Sequence, residues 1–261
     1  EATAITTYTR GDNSIEQVAF ADFKNDLLWI KITGTKPFDL NISLFRKENA
    51  TISYQNNHIT LTGVLPDDKK EGMHFASAID VQTDGKAESK EKAIEIQAAK
   101  ELILKISMAT NYQYKNGGLS NVSVKEKAES YLQRCTSSFE TALAESKTIY
   151  QGLFNKNRWY GNANSNTSQL STYERLEGFY RGDKDALLPI LYYNFGRYLL
   201  ISSSREGLLP ANLQGLWAEE YQTPWNGDYH LNINIQMNYW LAEATNLSEL
   251  TEPLNRFTKN L

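Results

Sequence analysis

The sequence predicts a multidomain β-plus-α chain: an antiparallel β-sandwich, then a helical linker, then the opening helices of an all-helical domain. Three observations carry that prediction. Apolar residues alternate with a period of two from Gln17 to about Met108, as half-buried strands do. A polar stretch with Gly117-Gly118 follows, Asn111 to Ser123, and reads as an interdomain connection. From Ala128 the period changes to three and four, that of amphipathic helices. The predicted division is an incomplete β-sandwich over 1–110, a linker with a long helix over 111–150, and the start of a helical domain over 151–261.

Eight strands are expected in the first part: 17–23, 27–33, 38–45, 51–55, 58–64, 73–81, 93–98 and 101–108. They recur about every ten to fifteen residues, the rhythm of an antiparallel sandwich. In 101–108, Leu102, Leu104, Ile106 and Met108 share one face, while Glu101, Lys105 and Ser107 mark the other. Asn56-Asn57 and Asp84-Gly85 read as hairpin turns, and the charged run Lys86 to Lys92 as a solvated loop or strand edge.

The linker helix is drawn from Ala128, Tyr131, Leu132, Cys135, Phe139, Ala142, Leu143, Ile149 and Tyr150, about six turns in one piece. Cys135, the single cysteine, falls on its buried side and excludes an intrachain disulfide. Residues 155–169 read as a loop. Ser171 and Glu174 form a capping box that opens a helix with Tyr173, Leu176, Phe179 and Tyr180 on one side. Asp185 is the expected N-cap of the next helix, with Pro189 in its first turn and Leu191, Tyr192, Phe195, Tyr198 and Leu199 along it. A further helix starts near Ile233 and places Met237, Trp240, Leu241 and Ala244 at core spacing. Leu250, Leu254, Phe257 and Leu261 hold helical spacing with no stop signal, so the chain reads as cut within a domain.

Composition narrows the function. Hydrophobic content of 41% and charged content of 22% are those of a globular chain. A net charge of −4 with scattered basic residues argues against a nucleic-acid surface, and no apolar run of about 18 residues is present to span a membrane. Nucleotide-binding glycine loops, serine-hydrolase elbows and Cys/His metal clusters are absent, so neither metal nor cofactor is expected. Five Asn-x-Ser/Thr sequons (Asn41, Asn49, Asn121, Asn166, Asn246) carry little weight in so Asn-rich a chain.

The informative stretch is Arg205 to Trp240, where three tryptophans, three tyrosines, five asparagines and His230 fall within 36 residues. Flat rings and amides that both donate and accept suit a neutral, hydroxyl-rich ligand such as a sugar. From His230 the chain alternates polar and apolar. In extended conformation His230, Asn232 and Asn234 would share one face, roughly 6–7 Å apart, a spacing that fits one hexose ring. The competing reading is structural: the asparagines cap the following helix and His230 bonds a backbone carbonyl. Trp217 and Trp225 read equally as sugar platforms or core, and Trp240 as core. Of the nearby carboxylates, Glu219 and Glu220 read as a solvated pair and Asp228 as a turn acceptor. No acid–base pair follows from these and Glu243 by spacing.

The segments LLPANLQGLW and TPWNGDYHLNINIQMNYWLAEATNLSEL closely resemble the signature of the glycoside hydrolase family 95 α-L-fucosidases, as do YQGLF (150–154), STYERLEGFYRGD (171–183) and 194–215. The resemblance covers the helical half well and the β half loosely. It implies a β-sandwich, a helical linker and an (α/α)6 toroid bearing the active site. It also implies inverting release of L-fucose from α-1,2-linked galactosides. Carried onto the H-x-N-x-N pattern, it makes His230 a sugar contact and Asn232 and Asn234 the amide pair, with Asn234 holding the attacking water. Trp217 and Trp225 are then substrate-binding candidates. A neutral carboxamide is a very weak base, so it must act with a charged partner. The general acid and the activating carboxylate have no matching motif before Leu261, so residues 1–261 alone are expected to be inactive. Leu241 stands where a proline is common in the family, a packing difference. An α-L-galactosidase, which differs in tolerating a hydroxyl at C6, and a non-catalytic carbohydrate-binding protein are the alternatives. A disaccharide phosphorylase would need clustered phosphate-binding Lys or Arg. The expected partner is a glycan with terminal L-fucose, and the expected location is the bacterial periplasm or the exterior. Glu1 to Arg10 has neither the basic start nor the apolar core of a signal peptide.

Overall fold

The computed structural model describes residues 2–66, 72–113, 117–161, 169–220 and 222–261, which form two compact units, Glu1–Ile149 and Tyr150–Leu261. The first unit is built on strands β1 (Thr3–Arg10), β2 (Asn13–Asp22), β3 (Leu27–Ile42), β4 (Ala50–Gln55), β5 (His58–Val64), β6 (His74–Thr83), β7 (Lys86–Ser89) and β8 (Ile94–Thr110). Seven of them pair antiparallel in the order β1-β2-β3-β8-β6-β5-β4, with β7 added along β8. One connected sheet thus supplies the sandwich. The tight Asn56-Asn57 turn, left-handed at both residues (φ 49° and 60°), closes the β4–β5 hairpin as expected.

Four strands read separately prove to be two. Segments 27–33 and 38–45, the latter only as far as Ile42, belong to β3, and 93–98, from Ile94, and 101–108 belong to β8. Their pairing shifts register at Thr33/Phe38 and again at Phe38/Leu40, the irregularities that bend a long strand. At the bend of β8, Ala98 is left-handed (φ 53°), and two carboxylates collect the amides around it. Asp39 accepts from Ala98 N at 2.7 Å, and Asp84 accepts from Lys100 N and Glu101 N at 2.9 Å each. The β6–β7 turn packs so closely there that a Cβ on Gly85 would sit 2.5 Å from the Gln97 carbonyl oxygen. Strand β1 was not expected. Its Thr-rich sequence is exposed almost throughout, so no apolar alternation marks it.

Both faces of the sheet are covered. Leu102 and Leu104 join Ile15, Ile59, Ile79, Ile94 and Ile96 in one cluster, while Phe20, Trp29, Ala76 and Ala78 join a second against helices α1 (Val124–Arg134) and α2 (Phe139–Phe154). The face of β8 read as polar lies under α1. Ser107 is fully buried and donates to the Ala128 carbonyl at 2.8 Å, and Lys105 lies 5.8 Å from the Trp29 ring centroid. Met108 is exposed rather than part of the apolar face. The predicted six-turn helix is two helices. Cys135, buried, ends α1 in extended conformation, and Ser138 Oγ accepts from Thr141 N at 3.2 Å to start α2. Residues 111–113 and 117–123 fold back on the sheet instead of leaving it. Asn111 accepts from His74 N and donates to the Ser120 carbonyl, and a small hairpin pairs β9 (Tyr112–Gln113) with β10 (Gly118–Leu119).

The second unit carries α3 (Thr172–Tyr180), α4 (Leu188–Ser203), α5 (Asn234–Ala244) and α6 (Glu252–Lys259). Of the loop read at 155–169, residues 162–168 lie outside the described residues. The Ser171/Glu174 capping box is present. Buried Arg197 of α4 gathers the carbonyls of Leu153, Phe154 and Asn157, closing the end of α2 where carbonyls lack helical partners. The apolar stripes expected to pack do not all do so. Tyr173, Leu176, Phe179, Leu191, Tyr192 and Phe195 are exposed, and so are Met237 and Trp240. The buried side of α5 is Ile235, Tyr239 and Ala242.

Asp185 ties α3 to α4. It receives Arg175 Nε and Nη2 at 2.8 and 3.2 Å, and its Oδ1 accepts the amides of Leu187 and Leu188; the N-cap itself is Leu187, so the expected cap Asp185 lies two residues before it and holds the helix start from outside. The Arg175 guanidinium holds this carboxyl below the usual aspartate range. Because the folded-state value is depressed, the stabilisation is full above the unfolded-state value and is lost as pH falls through the folded one. Asp185→Asn is therefore expected to lower Tm at neutral pH. The deficit should close in acid below the ordinary carboxylate range, as followed by thermal melts across pH.

Candidate active site

Between α4 and α5 the chain runs from Ser204 to Ile233, and its described residues form no helix or strand beyond a tight turn at Pro224–Gly227 and one isolated bridge, Asn212 to Gly215. A segment of this kind must satisfy its backbone polar groups by other means. Two residues of α5 begin that work. The Tyr239 hydroxyl accepts from Ala211 N at 3.0 Å and lies 2.7 Å from Ser204 Oγ, and Asn238 Nδ2 donates to the Asn212 carbonyl at 2.8 Å. Burial pushes the Tyr239 phenol above its usual value, which keeps it a neutral hydroxyl. Asn212 then passes the restraint on. Its Nδ2 donates to the Gly227 carbonyl at 2.8 Å, its Oδ1 accepts from Gln214 N at 3.0 Å, and the next amide, Leu213 N, donates to the Asp228 carbonyl at 2.9 Å. Gln214 Nε2 reaches the Pro224 carbonyl at 2.9 Å.

This frame holds Trp225 and Asn226 left-handed (φ 50° and 57°), a conformation a bulky residue keeps only where its surroundings over-determine it, at a cost of about 1–3 kcal/mol. Trp225 is 70% exposed, which removes the core reading for it. Trp217 is half exposed. Its ring lies against Gly215 (φ 65°), where a Cβ would be 2.7 Å from the ring. Trp240 is 65% exposed and not core, because α5 turns its other face inward.

The H-x-N-x-N residues follow directly, and the extended conformation expected for them is replaced by a turn. His230 is left-handed (φ 41°), residues 231–233 turn, and Asn234 is the first residue of α5. A single face of alternating side chains is therefore not formed. The competing structural reading fails as well. His230 bonds Asp228 through Nδ1 and through its backbone amide (3.1 Å), not a carbonyl, and no side chain caps α5. The amides of the stretch thus fall into two groups. Those of Asn212, Gln214, Gln222 and Asn238 bond within the protein. Among the described residues, the side chains of Asn232 and Asn234 bond to nothing, although Asn232 is exposed and Asn234 half-buried at the head of a helix. Gln236 Nε2 closes the turn on the Leu231 carbonyl at 2.6 Å.

The carboxylates provide no acid–base pair here. Asp228 is occupied by His230, and Glu219, Glu220 and Glu243 are exposed. Glu243 also stands nine residues beyond Asn234, about 13 Å along the helix axis. Among the described residues no cluster of three or more His, Cys, Asp or Glu could hold a metal ion, and no helix is long and apolar enough to cross a membrane. A recess of about 710 Å³ between α3 and α4, lined by Leu176, Phe179, Leu191, Tyr192 and Phe195, is almost wholly apolar and contains none of the motif residues. Sequence reasoning missed the latches Asn212, Asn238 and Tyr239. The one readable signal was Asn212 two residues before Gln214, the spacing of an Asx turn. Asn212→Ala is expected to speed hydrogen exchange across 213–228 by roughly tenfold, the equivalent of about 1.4 kcal/mol, with the β-sheet unit unaffected; peptide-resolved exchange measures this.

Residues 138–261 match the Glycosyl hydrolase family 95 catalytic domain, and residues 1–115 match the Glycosyl hydrolase family 65 N-terminal domain. The chain is 33% identical to "Probable alpha-fucosidase A" of Aspergillus niger over 95% of its own length and 33% of that protein's. It is 31% identical to "Alpha-L-fucosidase 2" of Arabidopsis thaliana over 97% of its length and 34% of the relative's. The chain thus spans about a third of the curated relatives it matches. In fold it is similar to a solved structure, "Putative kojibiose phosphorylase from human microbiome", with a TM-score of 0.59 at 13% identity, over 99% of this chain and 33% of that one. Residues 138–261 are thus a glycosyl hydrolase family 95 catalytic-domain segment.

Proposed function

We propose that this chain is part of an inverting exo-α-L-fucosidase that releases L-fucose from α-1,2-fucosylated galactosides. The observation that carries the reading is the division of the amides. Asn212, Gln214 and Asn238 hold the loop together, whereas Asn232 and Asn234 keep unbonded carboxamides beside His230 at the start of α5. An amide withheld from the protein's own hydrogen bonds is available to a ligand hydroxyl or to a water. The fucosidase names of the relatives agree with a sugar as that ligand.

In this reading His230 contacts the sugar, Asn232 and Asn234 form the amide pair, and Asn234 holds the attacking water. Trp217 and Trp225, both open to solvent, offer faces to the substrate. The amide positions the water and does not deprotonate it, so rate comes from geometry plus a charged partner. Inversion needs a general acid on one side of the sugar and an activated water on the other. With Asp228 engaged and the three glutamates exposed, we assign the acid and the activating carboxylate to the portion of the relatives' length that this chain does not span.

The test is hydrolysis of an α-1,2-fucosyl-lactose by the full-length protein, with the first-formed sugar read by proton NMR. The β-anomer of L-fucose is expected first. Asn234→Ala should lower kcat by about 10²–10⁴ with an unchanged melting profile, and residues 1–261 alone should be inactive. An α-anomer product would overturn the inverting mechanism, and turnover by 1–261 would overturn the division of the site. Preference for the L-galactoside over the fucoside would favour the α-L-galactosidase alternative.

A further inference from the structure

We infer that Asp228 is a positioning residue that fixes the tautomer and orientation of His230 and so decides which ring nitrogen meets the substrate. The inference rests on the proposed role of His230 as a sugar contact. Asp228 Oδ1 meets two groups of His230 at once, the backbone amide at 3.1 Å and ring Nδ1. An ionised carboxylate only accepts, so the ring must carry its proton on Nδ1. Nε2 is then the nitrogen left for a ligand, and in the neutral ring it accepts a hydroxyl proton. Orientation of one imidazole nitrogen by a carboxylate on the other is a recurrent way to select a tautomer.

The backbone supports the same assignment. His230 is left-handed (φ 41°), a conformation few non-glycine residues hold without side-chain restraint, and the doubly used carboxylate supplies it. Asp228 is itself fixed from behind, because its carbonyl accepts from Leu213 N at 2.9 Å in the frame that Asn212 and Asn238 anchor on α5. The His230 carbonyl in turn accepts from Ile235 N at 3.4 Å, so the backbone of His230 is tied to the helix that begins with Asn234. A bare turn acceptor would need only the backbone bond.

The test separates this role from the proposed reaction by using a readout that needs no substrate. In the full-length protein labelled with ¹⁵N-histidine, His230 is assigned by the signal lost in His230→Gln. Above the usual imidazole range, its Nδ1 should be protonated and its Nε2 bare. In Asp228→Ala that preference should disappear, and in Asp228→Asn, whose amide oxygen still accepts, it should largely return. Neutral His230 protonated on Nε2 in the unaltered protein would overturn the inference, whether or not the protein cleaves fucosides. With an active enzyme, Asp228→Ala should lower kcat/KM by up to about 100-fold. In a His230→Ala background the same change should cost nothing further. An undiminished loss in that background would assign Asp228 to the backbone turn alone.

Discussion

Among the described residues, the stretch between α4 and α5 has no repeating hydrogen-bond ladder, so its buried amides and carbonyls must find partners one by one, many of them on side chains. That constraint shapes the helical unit. Tyr239 and Asn238 on the inner side of α5 take the first part of the segment, Asn212 and Gln214 take the second, and Asp228 takes the last turn before the helix. The amide-rich composition is largely the material of this lattice. Among the described residues, the lattice leaves the amides of Asn232 and Asn234 unbonded.

The same constraint explains the strained residues. Trp225, Asn226 and His230 sit left-handed because the bonds on either side leave them no other path. Both Trp225 and His230 lie among the residues that the sugar reading uses, and stored backbone strain of this kind collects at ligand-contacting segments. In the β unit the corresponding position is Ala98. There Asp39 and Asp84 absorb the freed amides and the result is a bend in the sheet, so strain alone does not mark a site.

Much of the fold was legible from residues. Period-two alternation located six of the eight sheet strands, although it split β3 and β8 at their bends, where alternation lapses while pairing through β3 and β8 continues. It could not see β1, whose threonines face solvent, nor distinguish a solvated polar face from the one beneath α1 that Ser107 and Lys105 occupy. Helical spacing found α3 to α5, and the Ser171/Glu174 box fixed one boundary, but spacing alone does not say which apolar stripe faces inward. On α5 the buried side proved to be Ile235 and Tyr239, and Trp240 lies outside. At the site the residue types were informative and the conformation was not. Alternation at 230–235 suggested extended chain, whereas the Asp228–His230 bond and the Gln236 closure favour a turn, and neither long-range latch nor local turn leaves a periodic signal.

The central claim is that the stretch holds two kinds of amide, structural ones and reserved ones. A crystal structure of the full-length protein with L-fucose bound tests it most directly. The account predicts Asn232 and Asn234 within hydrogen-bonding distance of the sugar or of a water poised at its anomeric carbon, with the bonds of Asn212 and Asn238 unchanged. Asn234 turned back as a cap on α5, with Asn212 or Asn238 released to the ligand instead, would contradict it.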